Sequence, residues 1–198
     1  MFRECLVTAV LVALASPALG ADAAAPSERR WAGAVQLEYS AGGDDLYNEE
    51  LQLTESALGD GISVALGLMY RPIPTSAFEV QAFLGFKTDR VSPVIVGPDV
   101  SVRRTVFQLL GNYRNERKWY ASGGLVLHRN PKFEDRWPEA EDVDFDDALG
   151  VTAEAGWNWL GLQCTYMEYD SGRYGSFDAS NCGVRLTFRF PRWRPPRG

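Results

Sequence analysis

The fold is decided near the end of the chain by residues 181–190, which read Asn-Cys-Gly-Val-Arg-Leu-Thr-Phe-Arg-Phe. The apolar residues stand at alternate positions, Val184, Leu186, Phe188 and Phe190, and the residues between them are polar. Because successive side chains of a strand point to opposite faces, this segment would have one hydrocarbon face and one charged face. The pattern predicts a strand that lies between an apolar medium and a polar one.

Seven earlier segments show the same two-residue period. They are 31–40, 61–71, 78–87, 104–113, 119–128, 149–157 and 160–167. The connections between the eight segments alternate strictly between long and short, beginning with a long one at 41–60. Strands of about ten residues, tilted and joined in this way, span the hydrocarbon of a bilayer. The sequence therefore predicts an all-β fold, a single eight-stranded antiparallel up-and-down transmembrane β-barrel with long outer loops and short periplasmic turns.

The amino terminus has the features of an export signal. An apolar run from Cys5 to Ala15 follows a charged start, and small residues stand before position 21. The run is too short to cross a membrane as a helix, so it predicts a cleaved secretory signal. The predicted organisation is a signal peptide at 1–20, a leader at 21–30, the barrel at 31–190 and a Pro- and Arg-rich periplasmic tail at 191–198.

The composition of the chain indicates which classes of binding partner to expect. The 198 residues include 26 acidic and 20 basic ones, the formal net charge is −6, and the mean hydropathy is −0.21. This negative balance disfavours a nucleic-acid partner. The low mean hydropathy does not exclude a membrane barrel, because the strands of such a barrel alternate apolar and polar residues. The 12% of aromatic residues suits interfacial belts and equally an ordinary all-β core.

The polar face of the predicted strands carries charges of both signs. Six of its charged residues are Glu38, Glu79, Glu154, Lys87, Arg104 and Arg185. Opposite charges can pair inside a closed barrel, so we predict that these side chains form a charge network that fills the lumen. The alternative is a soluble, lipocalin-like binder in the periplasm, whose apolar face would line a ligand cavity while the charged face meets water.

The pattern as a whole resembles the small eight-stranded outer-membrane β-barrels of the OmpA, OmpX and opacity-protein type. The closing segment matches their closing-strand signal with Asn181, Gly183, Leu186, Phe188 and Phe190. The resemblance implies a place in the outer membrane of a Gram-negative cell and contact with outer-membrane lipid and lipopolysaccharide. It also implies recognition by the barrel assembly machinery through Gly183, Leu186, Phe188 and Phe190, and a monomeric barrel.

Cys164 and Cys182 are the two cysteines that would remain after cleavage of the signal. Both stand at positions whose side chains point to the outer face of the predicted barrel, and they lie on consecutive predicted strands. A register that pairs them also places Phe190 opposite Gly156 near the short turn, so the geometry permits a disulfide in an exported protein. Two interpretations stay open here, the disulfide and a pair of unbonded, lipid-facing thiols.

His128 is the single histidine of the chain, at the outer end of the fifth predicted strand. A hydrolase of the Ser-His-acid type would need Ser122 and Glu154, the nearest candidates on the same face, within hydrogen-bond reach. The His-x-Ser-Asn pattern of the lipid A deacylases, which are barrels of this size, is not found in the sequence. We expect no enzyme, no cofactor and no metal, and keep a lipid A-modifying enzyme as an alternative.

Acidic residues dominate two of the long loops. The net charge is −6 over 41–60, and eight acidic against three basic residues give −5 over 129–147. Such loops could collect divalent cations that bridge lipopolysaccharide phosphates, repel an anionic partner, or be merely solvated. The predicted function is that of a small outer-membrane barrel with a plugged polar lumen and a structural or surface-interaction role through its acidic outer loops.

Overall fold

The computed structural model of the chain describes residues 30–46, 56–73, 76–88, 101–134, 143–172 and 175–190. Its regular elements are thirteen strands. They are β1 (Trp31–Ala41), β2 (Asp45–Leu46), β3 (Ser56–Ala57), β4 (Gly61–Tyr70), β5 (Phe78–Thr88), β6 (Ser101–Arg114), β7 (Trp119–Glu134), β8 (Val143–Asp144), β9 (Ala148–Trp157), β10 (Leu160–Tyr166), β11 (Glu168–Ser171), β12 (Gly175–Asp178) and β13 (Asn181–Phe190). None of the elements in these ranges is a helix long and apolar enough to cross a membrane.

The division of the chain into signal, leader, barrel and tail stays a prediction. The predicted signal at 1–20, the leader up to residue 29 and the tail at 191–198 lie outside the described residues.

Eight of the strands form a closed antiparallel barrel. Around the wall their order is β6, β5, β4, β1, β13, β10, β9 and β7, and the pairing of β6 with β7 closes the ring. The first strand, β1, pairs with the last, β13, as an up-and-down barrel requires. The predicted closed eight-stranded fold is confirmed. The clearest differences are in β6, which begins three residues earlier than predicted, and in β7, which continues past the predicted end at 128.

The pairing of β1 with β13 explains why the closing segment has its particular sequence. Glu38 lies directly opposite Arg185, so opposite charges face each other on the inner side of the wall. A shift of one residue would turn every inner side chain outward. Gly183 permits the close approach of β1, because a Cβ atom there would lie 2.3 Å from the Tyr39 carbonyl oxygen.

The apolar face of the wall points outward on all eight strands. Exposed examples, one from each strand in chain order, are Leu37, Leu68, Leu84, Leu109, Leu125, Leu149, Leu162 and Phe188. Leu162 has 67% of its surface exposed, and Leu149 has 66%. A soluble protein seldom exposes a continuous apolar surface of this kind, whereas a membrane barrel requires it. The soluble, lipocalin-like alternative needs the opposite arrangement of the two faces.

The barrel has two different ends. At the turn end, where β4 turns into β5, β6 into β7 and β9 into β10, exposed aromatic side chains surround the wall: Trp31, Phe78, Tyr113, Trp119, Trp157, Trp159 and Phe190. At the loop end, where the long connections lie, Tyr39 and Tyr166 are exposed. Aromatic side chains at such heights suit the interfaces of a membrane.

The long connections contain short strands that the sequence pattern does not reveal. The two-residue strands β2 and β3 pair with each other, β8 pairs with β7, and β11 forms a hairpin with β12. Hydrogen bonds join separate connections, from the Asp44 N–H to the Asp178 carbonyl at 2.7 Å and from the Asp146 N–H to the Asp170 carbonyl at 2.9 Å. The loop end is thus a folded cap rather than a set of independent loops.

Candidate functional site

The interior at the turn end is built around one buried carboxylate, that of Glu79. Arg189 Nη2 lies 2.8 Å from Glu79 Oε1, and Arg71 Nη2 lies 3.5 Å from Oε2. The side-chain amides of Gln81 and Asn112 donate to Oε1 over 2.7 and 2.6 Å. A fully buried carboxylate is tolerated only when several donors surround it. Strands from opposite sides of the ring, β5 and β13 among them, are thereby linked across the lumen.

A second network crosses the middle of the lumen through Arg185, which is completely buried. Its Nη2 lies 2.7 Å from Glu38 Oε2, and its Nη1 lies 3.1 Å from Glu154 Oε2. The Tyr120 hydroxyl donates to the other oxygen of Glu154 over 2.6 Å. Lys87 Nζ is 4.0 Å from Glu38 Oε1, at the limit of an ion pair. One arginine of the closing strand therefore holds two carboxylates of other strands.

Tyr120 was not among the candidate residues of the sequence analysis. Two glycines, Gly156 and Gly161, leave space in the lumen for its side chain. A Cβ atom at Gly161 would lie 2.3 Å from both Tyr120 Oη and Glu154 Oε1. A Cβ atom at Gly156 would lie 2.6 Å from Tyr120 Oη. The sequence does indicate this arrangement, since Tyr120, Glu154, Gly156 and Gly161 all stand at positions of their strands that point into the lumen.

At the loop end, two cations bind the main chain of residues 58–60. Arg104 Nη1 donates to the Leu58 carbonyl over 2.6 Å, and Nη2 donates to the Asp60 carbonyl over 2.8 Å. Lys87 Nζ donates to the Gly59 carbonyl over 2.8 Å. Of the six residues predicted to form the charge network, the three glutamates and Arg185 form ion pairs, and Lys87 is at the limit of one with Glu38. Lys87 and Arg104 also hold this connecting segment in the mouth of the barrel.

An apolar cluster lies above these cations and closes the mouth. Its buried members are Leu58, Val102, Val106, Val126, Phe145, Ala148, Met167, Tyr169 and Ala179. His128 Nδ1 and the Tyr169 hydroxyl form a hydrogen bond of 2.6 Å at its lower side. A second apolar cluster lines the lumen with Ala32, Ala34, Ala65, Met69, Phe83 and Leu110. The lumen is consequently filled by apolar as well as polar side chains.

The space left between these layers is small. A cavity of about 10 Å³ is lined by Glu38, Lys87, Gln108, His128 and Gln163, among others. This volume suffices for about one water molecule. It does not accommodate the small apolar ligand that a lipocalin-like binder would carry.

The three residues considered for hydrolysis do not come together. Ser122 lies beside Glu154 in the ladder of β7 with β9, and its Oγ is 3.5 Å from Glu154 Oε2. His128 lies six residues further along β7, about 20 Å away at the rise of a strand. Its ring bonds to Tyr169 instead. Within the described ranges, no three His, Cys, Asp or Glu side chains cluster in a way that could bind a metal ion.

Cys164 and Cys182 are opposite each other in the ladder of β10 with β13, and the structure joins them in a disulfide with a Cα–Cα distance of 4.1 Å. The bond lies on the outer face of the wall, towards the loop end. It fixes the register in which the closing strand meets its neighbour. Cys164 lies opposite Cys182 as that register requires, but Phe190 does not lie opposite Gly156, because the ladder of β10 with β13 stops at Leu160 opposite Leu186 and Gly156 lies opposite Gly161.

The rim of the loop end is acidic, and two of its carboxylates are held by local hydrogen bonds. Asp147 accepts from the Asn130 N–H and from Arg129 Nε, each over 3.0 Å, and these bonds lower the pKa of Asp147. Hydrogen bonds from Ser180 lower the pKa of Asp178. The hydrogen bonds thus favour the charged form of both carboxylates.

A closed eight-stranded antiparallel barrel with paired charges inside and a continuous apolar surface outside is the architecture of a small transmembrane β-barrel.

Comparison with known proteins gives the following similarities. Ail, the attachment invasion locus protein of Yersinia pestis, is 10% identical with a TM-score of 0.44, over 80% of this chain and 98% of Ail. Neisserial surface protein A is 12% identical with a TM-score of 0.41, over 80% of this chain and 97% of that one. The N-terminal β-barrel domain of Pseudomonas aeruginosa OprF is 12% identical with a TM-score of 0.30, over 78% and 97%. No family model and no curated protein sequence matches the chain.

Proposed function

We propose that the chain is an outer-membrane protein with a closed barrel that presents its capped loop end at the cell surface for interactions. The observation that carries the proposal is the exposure of apolar side chains on all eight strands around an interior of paired charges. Water would be a poor solvent for such an exterior, whereas the hydrocarbon of a bilayer matches it.

The orientation follows from the connections. In outer-membrane barrels the short turns lie in the periplasm and the long loops lie outside. The turn end, with its exposed aromatic side chains, would face the periplasm, together with the exposed Arg117 and Lys118. The loop end, with its acidic rim, would contact lipopolysaccharide or a partner outside the cell. Export by the predicted signal at 1–20 belongs to the same proposal.

Insertion would depend on the closing strand. We propose that the barrel assembly machinery reads Gly183, Leu186, Phe188 and Phe190, as the resemblance to small outer-membrane barrels implies. Two features of β13 support this assignment. Phe188 and Phe190 lie exposed on the outer face, and Gly183 lets the backbone of β1 approach closely.

The barrel itself would be closed to solutes. The Glu79 network, the Arg185 network and the apolar cluster in the mouth occupy successive levels of the lumen. A conducting path would require buried ion pairs to separate and the cap to open. The surface role therefore falls to the loop end, whose acidic rim suits a cationic partner, or lipopolysaccharide phosphates bridged by divalent cations.

The membrane location is tested by one outward substitution. Leu162 lies exposed in the middle of β10, so Leu162→Arg should cost about 2 to 4 kcal/mol of folding free energy in a bilayer. Folding into lipid vesicles would be followed on SDS gels, because closed membrane barrels keep their fold in SDS until they are heated. The matched control is Glu168→Arg in the cap, which should fold normally.

Two results would contradict the proposal. One is an unboiled wild-type protein that migrates like the boiled one and is found in the soluble periplasmic extract. The other is a Leu162→Arg variant that folds as well as the wild type and is more soluble. Closure is tested separately in planar bilayers, where the folded protein should give no sustained ion current.

A further inference from the structure

Two short turns of the turn end are joined to each other by hydrogen bonds. The Asn158 N–H donates to the Lys118 carbonyl over 2.9 Å, and Arg114 Nη1 donates to the Asn158 carbonyl over 3.0 Å. The turn between β6 and β7 and the turn between β9 and β10 therefore hold each other in place. We call residues 114–118 together with 157–159 the turn platform.

The turn platform carries positive charge at its surface. Arg117 and Lys118 are exposed, whereas the guanidinium group of Arg114 lies inward, 4.5 Å from the centre of the Tyr120 ring. Three basic residues against one acidic residue, Glu116, give this turn a net charge of +2. A compact turn with two exposed cations is suited to an anionic group.

The charge of the turn platform is not a general property of the turns. The turn between β4 and β5 reads Pro-Ile-Pro-Thr-Ser-Ala at 72–77, which is an uncharged sequence, and Ile73 is exposed there. The rim of the loop end is acidic. The turn platform therefore gives one side of the turn end a charge that the loop end does not share.

Three indole rings on the outer face mark the level of the turn platform in a membrane. Trp119 and Trp157 lie opposite each other in the ladder of β7 with β9, and Trp157 Nε1 donates to the Arg117 carbonyl over 3.1 Å. Trp159 stacks on Phe188, with ring centres 6.3 Å apart. All three indoles are exposed, and such rings lie at the boundary between hydrocarbon and head groups.

The exposed cations lie at the level of lipid phosphates. Arg117 is two residues beyond Trp119, which is at most about 7 Å further out at the rise of a strand. The head groups add about 5 to 7 Å to each side of the hydrocarbon. The two cations are therefore within the head-group layer, whereas a cell-wall polymer would lie beyond it.

We propose that the turn platform binds the head group of an anionic phospholipid, such as phosphatidylglycerol, in the periplasmic leaflet. The inference rests on the proposed membrane location and orientation. Phosphate oxygens accept hydrogen bonds from Arg117 and Lys118, and the acyl chains lie against Trp119 and Trp157. An ethanolamine head group brings an ammonium group to the same place, and the two cations repel it.

The expected preference is modest, because exposed ion pairs are weak individually. Two such pairs, partly offset by Glu116, should favour the anionic lipid by about two- to five-fold. The hydrogen bonds within the turn platform help, since its backbone needs no further ordering on binding. The preference should fall in about 1 M salt, where the Debye length is only about 3 Å.

Quenching of tryptophan fluorescence by brominated lipids measures this preference on the full folded protein. The protein is folded into phosphatidylcholine vesicles that contain brominated phosphatidylglycerol or brominated phosphatidylethanolamine at equal mole fraction. Three of the six tryptophans lie beside the turn platform and report binding there. We expect the wild type to bind the glycerol lipid about two to five times more strongly. Arg117→Gln with Lys118→Gln should remove most of this preference, and Glu116→Gln should increase it.

The matched control changes the same residue types at the loop end. Arg129→Gln with Lys132→Gln removes two exposed cations that pair with Asp147 and Asp144, and it should keep the wild-type preference. Equal quenching by the two lipids in the wild type would overturn the inference. An unchanged preference in the double variant of the turn platform would overturn it as well.

Two further results are distinguished from these. Retention of the wild type on isolated cell wall, together with equal quenching by the two lipids, would assign the turn platform to a cell-wall partner and overturn the lipid inference. Failure of the barrel to form at all is seen beforehand on unboiled SDS gels, and it would count against the membrane proposal instead.

Discussion

The two ends of the barrel are filled in different ways. At the turn end the lumen is filled by side chains of the strands themselves, which converge on Glu79 from β5, β6 and β13. At the loop end it is filled largely by the connections, since Leu58, Phe145 and Ala179 enter the mouth from outside the barrel strands. The difference shows that one closed wall can enclose both a charged interior and a dry apolar core.

The different contents of the two ends should also give them different stabilities. Removing one partner from a buried ion network leaves an uncompensated charge. A substitution at the turn end should therefore lower the stability of the whole barrel. The cap at the loop end is held by hydrogen bonds to carbonyls and by a small apolar cluster, so it can open while the wall stays closed. The following predictions separate these two behaviours, beginning with the largest expected effect.

Glu79→Gln should destabilise the whole barrel by about 3 to 5 kcal/mol. The substitution keeps the shape of the side chain but leaves the guanidinium groups of Arg71 and Arg189 beside an uncharged amide in a buried site. Urea unfolding in lipid vesicles, followed by tryptophan fluorescence, measures the change. Glu116→Gln in the exposed turn serves as the control and should unfold like the wild type. A loss below about 1 kcal/mol would mean that the turn-end network does not hold the wall together.

Replacing both cysteines, Cys164→Ser with Cys182→Ser, should cost about 3 kcal/mol, because the disulfide closes a sequence separation of 18 residues in the unfolded chain. The bond joins two wall strands near the loop end, so its loss should lower the urea midpoint of the wall. A reducing agent should have the same effect on the wild type and none on the double variant. An unchanged midpoint would show that the closing strand keeps its register without the bond.

Tyr169→Phe should weaken the cap by about 1 kcal/mol and leave the wall unchanged. The variant loses the hydroxyl that bonds to His128 Nδ1 over 2.6 Å but keeps the aromatic ring in the cluster. Amide hydrogen exchange should become faster in β11 and β12 while protection in β4 and β5 stays the same. Equal acceleration in both regions would contradict the independence of the two ends.

Acidification should loosen the same hairpin slightly. The pKa of Asp178 is lowered in the folded protein, so its bonds with Ser180 contribute fully above the ordinary value of 3.8 and are lost as the pH falls through the lowered value. Exchange of the Ser180 amide, corrected for its intrinsic pH dependence, should therefore accelerate below that pH. The Asp178→Asn variant should lack this step. A step that persists in the variant would assign the effect to another carboxylate.

Much of this architecture could be predicted from the sequence because strand period is a local property. The eight wall strands, their inward and outward faces and the pairing parity of Cys164 with Cys182 all follow from alternation along short segments. The glutamates and Arg185 were placed in the lumen for the same reason. For each of these side chains, the sequence indicated only that its partner also points into the lumen. Alternation along a strand shows on which side of the wall a residue lies, but not at which level along the barrel axis.

The cap shows where such prediction ends. Strands of two to four residues, such as β2 and β11, are too short for a period to be visible. The extension of β7 beyond 128 includes Asn130 in a left-handed conformation with φ of 48° and a proline at 131, features that point to a loop. Arg104 was predicted to belong to the charge network of the lumen, and carbonyl groups of a neighbouring connection bind it.

The sequence by itself determined the number of wall strands, the side of the wall to which each of their residues points and the medium that each face requires, since alternation and hydrophobicity act within ten residues. Only the tertiary structure decided which charges meet and how the mouth of the barrel is closed. Arg185 and Glu38 illustrate the reason, because they are separated by 147 positions in sequence and are 2.7 Å apart in space. Ring closure brings them together, and ring closure is a property of all eight strands at once.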